Sequence, residues 1–227
     1  MKTEFRDADS SSQFSRRCLA LLVSLIARNT LIARRFKTLG ESLDFHMFVK
    51  SNWGDGVKFF QTRELLWKEI MGHVEKPANF FEFGVAHGYL TDFFFTNFEE
   101  KIKSWKGYDR FEGLPTSWRE LSEGSFSNNG LPPEINDRRI KWHIGDIEDT
   151  FDATTIDSGT NIYIFDLDLY EPSKFAWDVL KSKLSSGDIL YFDEAFDADE
   201  RRLIREEILK NNLKLVGWTP LALALKV

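Results

Sequence analysis

The sequence predicts an α/β fold: a mostly parallel, doubly wound sheet of seven strands with helices on both faces. Two observations carry this. From residue 55 onward, short apolar runs alternate with segments whose apolar residues recur at helical spacing. The runs are Asn79–Phe83, Trp105–Tyr108, Arg139–Ile144, Asn161–Leu167, Asp188–Phe192, Leu213–Val216 and Leu221–Leu225. Four helices lie between them, marked by Leu65, Leu66 and Ile70; by Leu90, Phe93, Phe94 and Phe98; by Ala176, Val179, Leu180 and Leu184; and by Leu203, Ile204 and Ile208. Pro172 falls where the third of these starts, suiting the first helical position. The second observation is the short link Gly217-Trp218-Thr219-Pro220 between the last two runs. A parallel crossover needs about a dozen residues, so this pair is expected to be an antiparallel hairpin.

The 227 residues suit one sizeable domain, residues 55–227, behind a helical extension at 16–54 and a polar, Ser-rich and mobile tail at 1–15. A net charge of −6 disfavours a nucleic-acid partner, since no basic excess offsets phosphate charge. The single cysteine, Cys18, excludes a disulfide framework and a Cys-rich zinc site, and a reducing, cytoplasmic compartment is expected. The apolar run Cys18–Ala27 is too short to span a bilayer and is preceded by Glu4, Asp7 and Asp9, unlike a secretory signal. Between Ser11 and Gly40 stand six basic residues and no acidic one, which leaves −12 on the remainder. Arg17, Arg28 and Arg35 return to one helical face. Residues 16–40 are therefore read either as a helix packed over the domain or as a peripheral membrane or self-association element.

Three segments carry chemistry. Glu82-Phe83-Gly84-Val85-Ala86-His87-Gly88 follows a strand and opens a helix, where glycines admit a ligand close to the backbone and free N–H groups face it. Alone, this spacing is also that of a tight turn with no ligand. Gly107-Tyr108-Asp109 ends the second strand, where a carboxylate is placed to accept from two ribose hydroxyls; Arg110 follows it. Gly145-Asp146-Ile147 ends the third strand, where Asp146 would meet an adenine amino group and Ile147 the ring, although Asp146 could equally cap the next helix. His87 sits inside the turn and is read as a cofactor contact, whereas His143 is strand-internal.

The run Gly107-Tyr108-Asp109-Arg110-Phe111-Glu112-Gly113-Leu114-Pro115, the segment Phe126–Pro132, Gly145 to Asp149-Thr150, Phe165-Asp166-Leu167-Asp168-Leu169-Tyr170-Glu171-Pro172-Ser173 and Gly187–Glu194 together resemble the macrocin-O-methyltransferase-like family. The resemblance covers roughly residues 55–227 in one unbroken order of motifs. It implies a Rossmann-like methyltransferase sheet of order 3-2-1-4-5-7-6 with strand 7 antiparallel. It also implies S-adenosylmethionine as cofactor, bound through Glu82, Gly84, Val85, His87, Gly88, Asp109, Arg110, Asp146 and Ile147. Arg63 is expected to neutralise the methionine carboxylate. Members of the family methylate sugar hydroxyls, some with magnesium, and Asp166, Asp193 and Glu194 match their metal positions. Here Asp-Glu replaces the aspartate pair of some relatives.

A hard cation would lower a hydroxyl's pKa and fix its geometry. Without a metal, Asp166 or Asp168 is the general base, or one of them only caps the helix near Pro172. Leu114–Pro133 is expected to be a lid over the acceptor. The expected function is O-methylation of a small hydroxylated acceptor, possible classes being a sugar or glycan of a biosynthetic pathway. The alternatives are a metal-independent N- or C-methyltransferase and a non-catalytic interaction protein on the same fold.

Overall fold

The computed structural model describes residues 18–227. It divides into two units, one ending at Asp44 and one spanning Phe45–Val227. In the first, helical backbone runs over residues 18–27 (α1) and resumes in α2, Thr30–Trp53, whose C-terminal part belongs to the second unit. The chain turns at Arg28-Asn29, and Asn29 Oδ1 accepts the Ile32 N–H at 3.1 Å, satisfying a donor at the start of α2. That break corrects the expected single basic face: Arg28 lies in it and Arg35 lies beyond it on α2. Arg16, Arg17 and the Ser-rich tail lie outside the described residues.

The second unit contains all seven strands: β1 Ala78–Phe83, β2 Ile102–Asp109, β3 Ile140–Ile144, β4 Asn161–Phe165, β5 Ile189–Phe192, β6 Lys214–Trp218 and β7 Leu223–Lys226. They form one sheet of order β3-β2-β1-β4-β5-β7-β6. The first five are parallel, and β7 runs antiparallel to both β5 and β6. This is the predicted arrangement, hairpin included. The helices are α3 Arg63–Gly72, α4 Tyr89–Phe98, the short α5 Ile147–Thr150, α6 Tyr170–Leu180 and α7 Ala198–Glu206.

Alternate residues of a strand face opposite sides, so the sheet feeds two cores. Phe81, Phe83, Tyr163, Phe165, Leu190 and Phe192 pack with α6, α7 and the end of α2, while Phe80, Ile162, Ile164, Ile189 and Tyr191 pack with α3 and α4. Because β1, β4 and β5 are buried on both sides, they read as continuous apolar runs rather than alternating ones. Much of the phenylalanine excess is spent here: Phe80 stacks on Trp105 at 4.6 Å and Phe165 on Phe192 at 4.7 Å.

Pro172 is not the first residue of α6. The helix starts two residues earlier, with Leu169 as its cap, and Pro172 still falls in the first turn, where a missing N–H costs nothing. Neither Asp166 nor Asp168 caps that helix.

The strand order reverses between β1 and β4, and a ligand crevice is expected at their carboxyl ends. There the two backbones come unusually close. Gly84 has φ +87°, and a Cβ on it would lie 1.9 Å from the carbonyl oxygen of Asp166. Gly84→Ala is therefore expected to destabilise the protein by about 3 kcal/mol or more, through strain and a forced separation of β1 from β4. Chemical denaturation checks this; a loss within the range of ordinary surface substitutions would refute it.

Candidate active site

The crevice is a cavity of about 540 Å³ at the carboxyl edge of the sheet, within the second unit. Its floor is the turn after β1. Asp109, ending β2, holds that turn: Oδ2 accepts the N–H groups of Val85 (2.7 Å) and Ala86 (2.8 Å), and Oδ1 accepts that of Phe111 (2.7 Å). Ala86 has φ +47°, so the ties to Asp109 fix a left-handed residue that is not glycine. Both lone pairs of Oδ2 are spent, and Oδ1 keeps one.

Glu82 is 1% exposed and lines the cavity. Its Oε2 accepts from Thr91 Oγ1 and from Trp105 Nε1 (2.8 Å), and burial pushes its carboxyl up to about 8. Asp146 precedes α5 without a side-chain cap bond, and its half-exposed carboxylate stands 3.4 Å from Arg110 Nε. Arg110 also pairs with Glu112 at 3.0 Å. Val85, His87 and Ile147 line the cavity with them. Gly88 does not. A Cβ there would meet Pro133 at 2.7 Å, and its φ is +75°, so this glycine lets the end of the lid pack against the start of α4.

The carboxylates of β4 and β5 gather on the opposite wall: Asp166, Asp168, Asp193 and Glu194 all line the cavity. Asp193 is 2% exposed, with Arg63 Nη1 on its Oδ2 and the Tyr191 hydroxyl donating to its Oδ1. Burial disfavours the Arg63 cation, but Asp193, Tyr191 and Asp166 outweigh that and hold its pKa above the ordinary value. Arg63 thus starts α3, lines the cavity and is bound to Asp193.

Asp166 is raised well above the usual carboxylate range by burial and then by Asp193, Asp168, Glu200 and Glu194. Burial, with Asp193 and Asp168, pushes Glu194 up to about 8. Asp168 is pushed up to about 7 by burial, then Asp193, Asp197 and Asp109, against the pull of Arg119. Its φ of +61° is tolerable for aspartate and turns the chain between β4 and α6.

The expected metal triad Asp166, Asp193 and Glu194 supplies hard oxygens, but both oxygens of Asp193 are engaged by Arg63 and Tyr191. Among the described residues, no three carboxylates, imidazoles or thiolates are placed to hold one ion. The residues present do not fit a metal in this arrangement.

The expected lid is ordered by its own hydrogen bonds. Leu114 N–H donates to Ser125 O and Gly124 N–H to Leu114 O, both at 2.9 Å, and Trp118 pairs with Leu121. Leu114, Pro115, Trp118 and Phe126 line the cavity. Arg119, 3.6 Å from Asp197 and over the rings of Phe196 and Trp118, ties this segment to the start of α7.

Sequence reasoning missed Trp67, Tyr191, Arg119 and Glu200. Glu200 is wholly buried behind the acidic wall. Its Oε2 accepts the Glu194 N–H (3.1 Å), and its Oε1 has no partner. His143, half-buried, stacks on Tyr108 at 4.5 Å and is not among the lining residues.

The sheet order, the antiparallel β7 and a crevice at the β1/β4 switch define the class I methyltransferase fold. No family model matches the chain, and no curated protein sequence does either. Solved structures do. One is the calicheamicin methyltransferase CalS11, at 20% identity and a TM-score of 0.55, over 72% of this chain and 76% of that one. Another is the O-methyltransferase NovP, at 17% identity and a TM-score of 0.54, with the same two coverages. At such identities the likeness is one of fold.

Burial and its acidic neighbours raise the Glu200 pKa well above its ordinary value of 4.5. The folded state therefore holds that proton more tightly than the unfolded chain. Its contribution to stability is full below about pH 4.5 and is lost as pH rises toward the folded pKa. Glu200→Gln keeps the acceptor for Glu194 and removes the ionisation. It is expected to be more stable than the parent by roughly 1–3 kcal/mol at neutral pH, with the advantage shrinking on acidification. Denaturation across pH checks this; an advantage independent of pH would refute it.

Proposed function

We propose that the chain is an S-adenosylmethionine-dependent O-methyltransferase acting on a hydroxyl of a small acceptor, of sugar or glycan type, in a biosynthetic pathway. The observation that carries the reading is one cavity whose walls join the Asp109-tied turn and Asp146 to Asp166, Asp168 and Glu194. Its volume suits a cofactor with a small acceptor. The motif resemblance supports the hydroxyl acceptor, as does a fold shared with a protein described as an O-methyltransferase.

When bound, the cofactor supplies an electrophilic sulfonium methyl. The chain's part is to orient the acceptor, remove its proton and exclude water. Asp168 is the general base: it lines the cavity, and its pKa of about 7 leaves a large ionised fraction at neutral pH while keeping it basic enough to accept a proton. Arg63 holds Asp193 and turns its remaining donors toward the methionine carboxylate. Trp118 and Phe126 cover the acceptor. No metal is assigned a step.

Calorimetric titration with S-adenosylmethionine is expected to show binding; none at millimolar ligand would sink the proposal. Asp168→Asn is expected to lower kcat by about 10²–10⁴-fold with cofactor affinity unchanged. In the parent, kcat/KM should rise with pH through about 7, where Asp168 loses its proton, and the variant should lose that rise. Exhaustive chelation should leave turnover intact; abolished turnover, restored by a divalent cation, would overturn the metal-free assignment.

A further inference from the structure

We propose that residues 18–47 dock the protein on an anionic lipid surface. The first observation is an apolar stripe that the fold leaves uncovered. On α2, Ile32, Phe36, Leu39, Leu43 and Met47 are 43–66% exposed. At 3.6 residues per turn they fall within an arc of roughly 80°. Phe45 and Val49 of the same helix are fully buried in the core. They lie roughly 140° around the helix from the centre of the stripe. In α1, every residue from Cys18 to Ala27 except Ile26 is exposed, and all but Ser24 are apolar.

The second observation is charge. Arg35 sits roughly 40° beyond one edge of the stripe and Lys37 roughly 80° beyond the other, and Arg28 stands at the turn between the helices. Acidic residues enter only from position 41 on: Glu41, which pairs with Lys37 at 3.9 Å, and Asp44. An apolar band flanked by cations suits an interface of acyl chains below and anionic headgroups above, with the basic side chains reaching up to the headgroups. Among the described residues no helix is long and apolar enough to cross a membrane, so the docking is peripheral. A second copy placed parallel on the stripe would set these cations against their own equivalents, whereas anionic lipid complements them.

The full-length protein tests this by co-sedimentation with vesicles of phosphatidylcholine, with and without phosphatidylglycerol. Sedimentation is expected only when phosphatidylglycerol is present, and it should weaken in high salt. Arg35→Gln with Lys37→Gln should reduce partitioning about 30-fold, from two headgroup attractions lost. Phe36→Glu with Leu39→Glu should abolish it, and both proteins should keep the parental circular-dichroism melt, since the four side chains are exposed. Equal binding to both vesicle types, or variants that bind like the parent, would overturn the proposal. So would a dimer in light scattering that the Phe36→Glu, Leu39→Glu protein loses, with no vesicle binding by the parent.

Discussion

One carboxylate ties the ligand edge of the sheet together. Asp109 ends β2, yet its hydrogen bonds go to Val85 and Ala86 in the turn after β1 and to Phe111 at the entry of the covering loop. Three backbone donors that would otherwise need water or a ligand are met by one side chain. The turn, the end of β2 and the loop entry are held as one rigid piece. Asp166 continues the same edge from β4, close against Gly84. The walls of the cavity are thus fixed by backbone contacts before any ligand arrives.

The opposite wall follows from a different constraint, the crowding of like charges. Asp166, Asp168, Asp193, Glu194 and Glu200 share a buried region that Arg63 and Arg119 only partly offset, so most of these carboxyls hold their protons more firmly than in water. Asp168 and Glu194 reach about 7 and about 8, with Arg119 pulling both down against burial and their acidic neighbours.

The sheet was legible in the sequence because its central strands are buried on both faces and appear as near-continuous apolar runs, and because Gly217–Pro220 leaves no length for a crossover. The acidic rim was legible as paired residues at strand ends. Its internal partners were not. Arg63 reaches Asp193 across 130 positions, and nothing local marks the pair. Glu200 lies in an α7 segment that reads as an ordinary charged helix start, so its burial comes from tertiary packing alone. The break at Asn29 was hidden because Arg28-Asn29 carries neither glycine nor proline, and the arginine spacing suggested continuity. Asp109 was placed correctly at its strand end, but its turn onto the loop is a choice among acceptable partners that spacing does not decide.

The covering segment folds against itself at its entry and against the frame at its exit. A Cβ on Gly113 would collide with Ser125 and Gly124, and Pro133 rests against Gly88 at the start of α4. Between these anchors the chain closes on itself. Loop-closure entropy grows only slowly with length, so the stretch in between can be rewritten or lengthened at small thermodynamic cost. What the cavity admits and whether the sheet folds are therefore separable traits, and the first can diverge quickly while the second stays still.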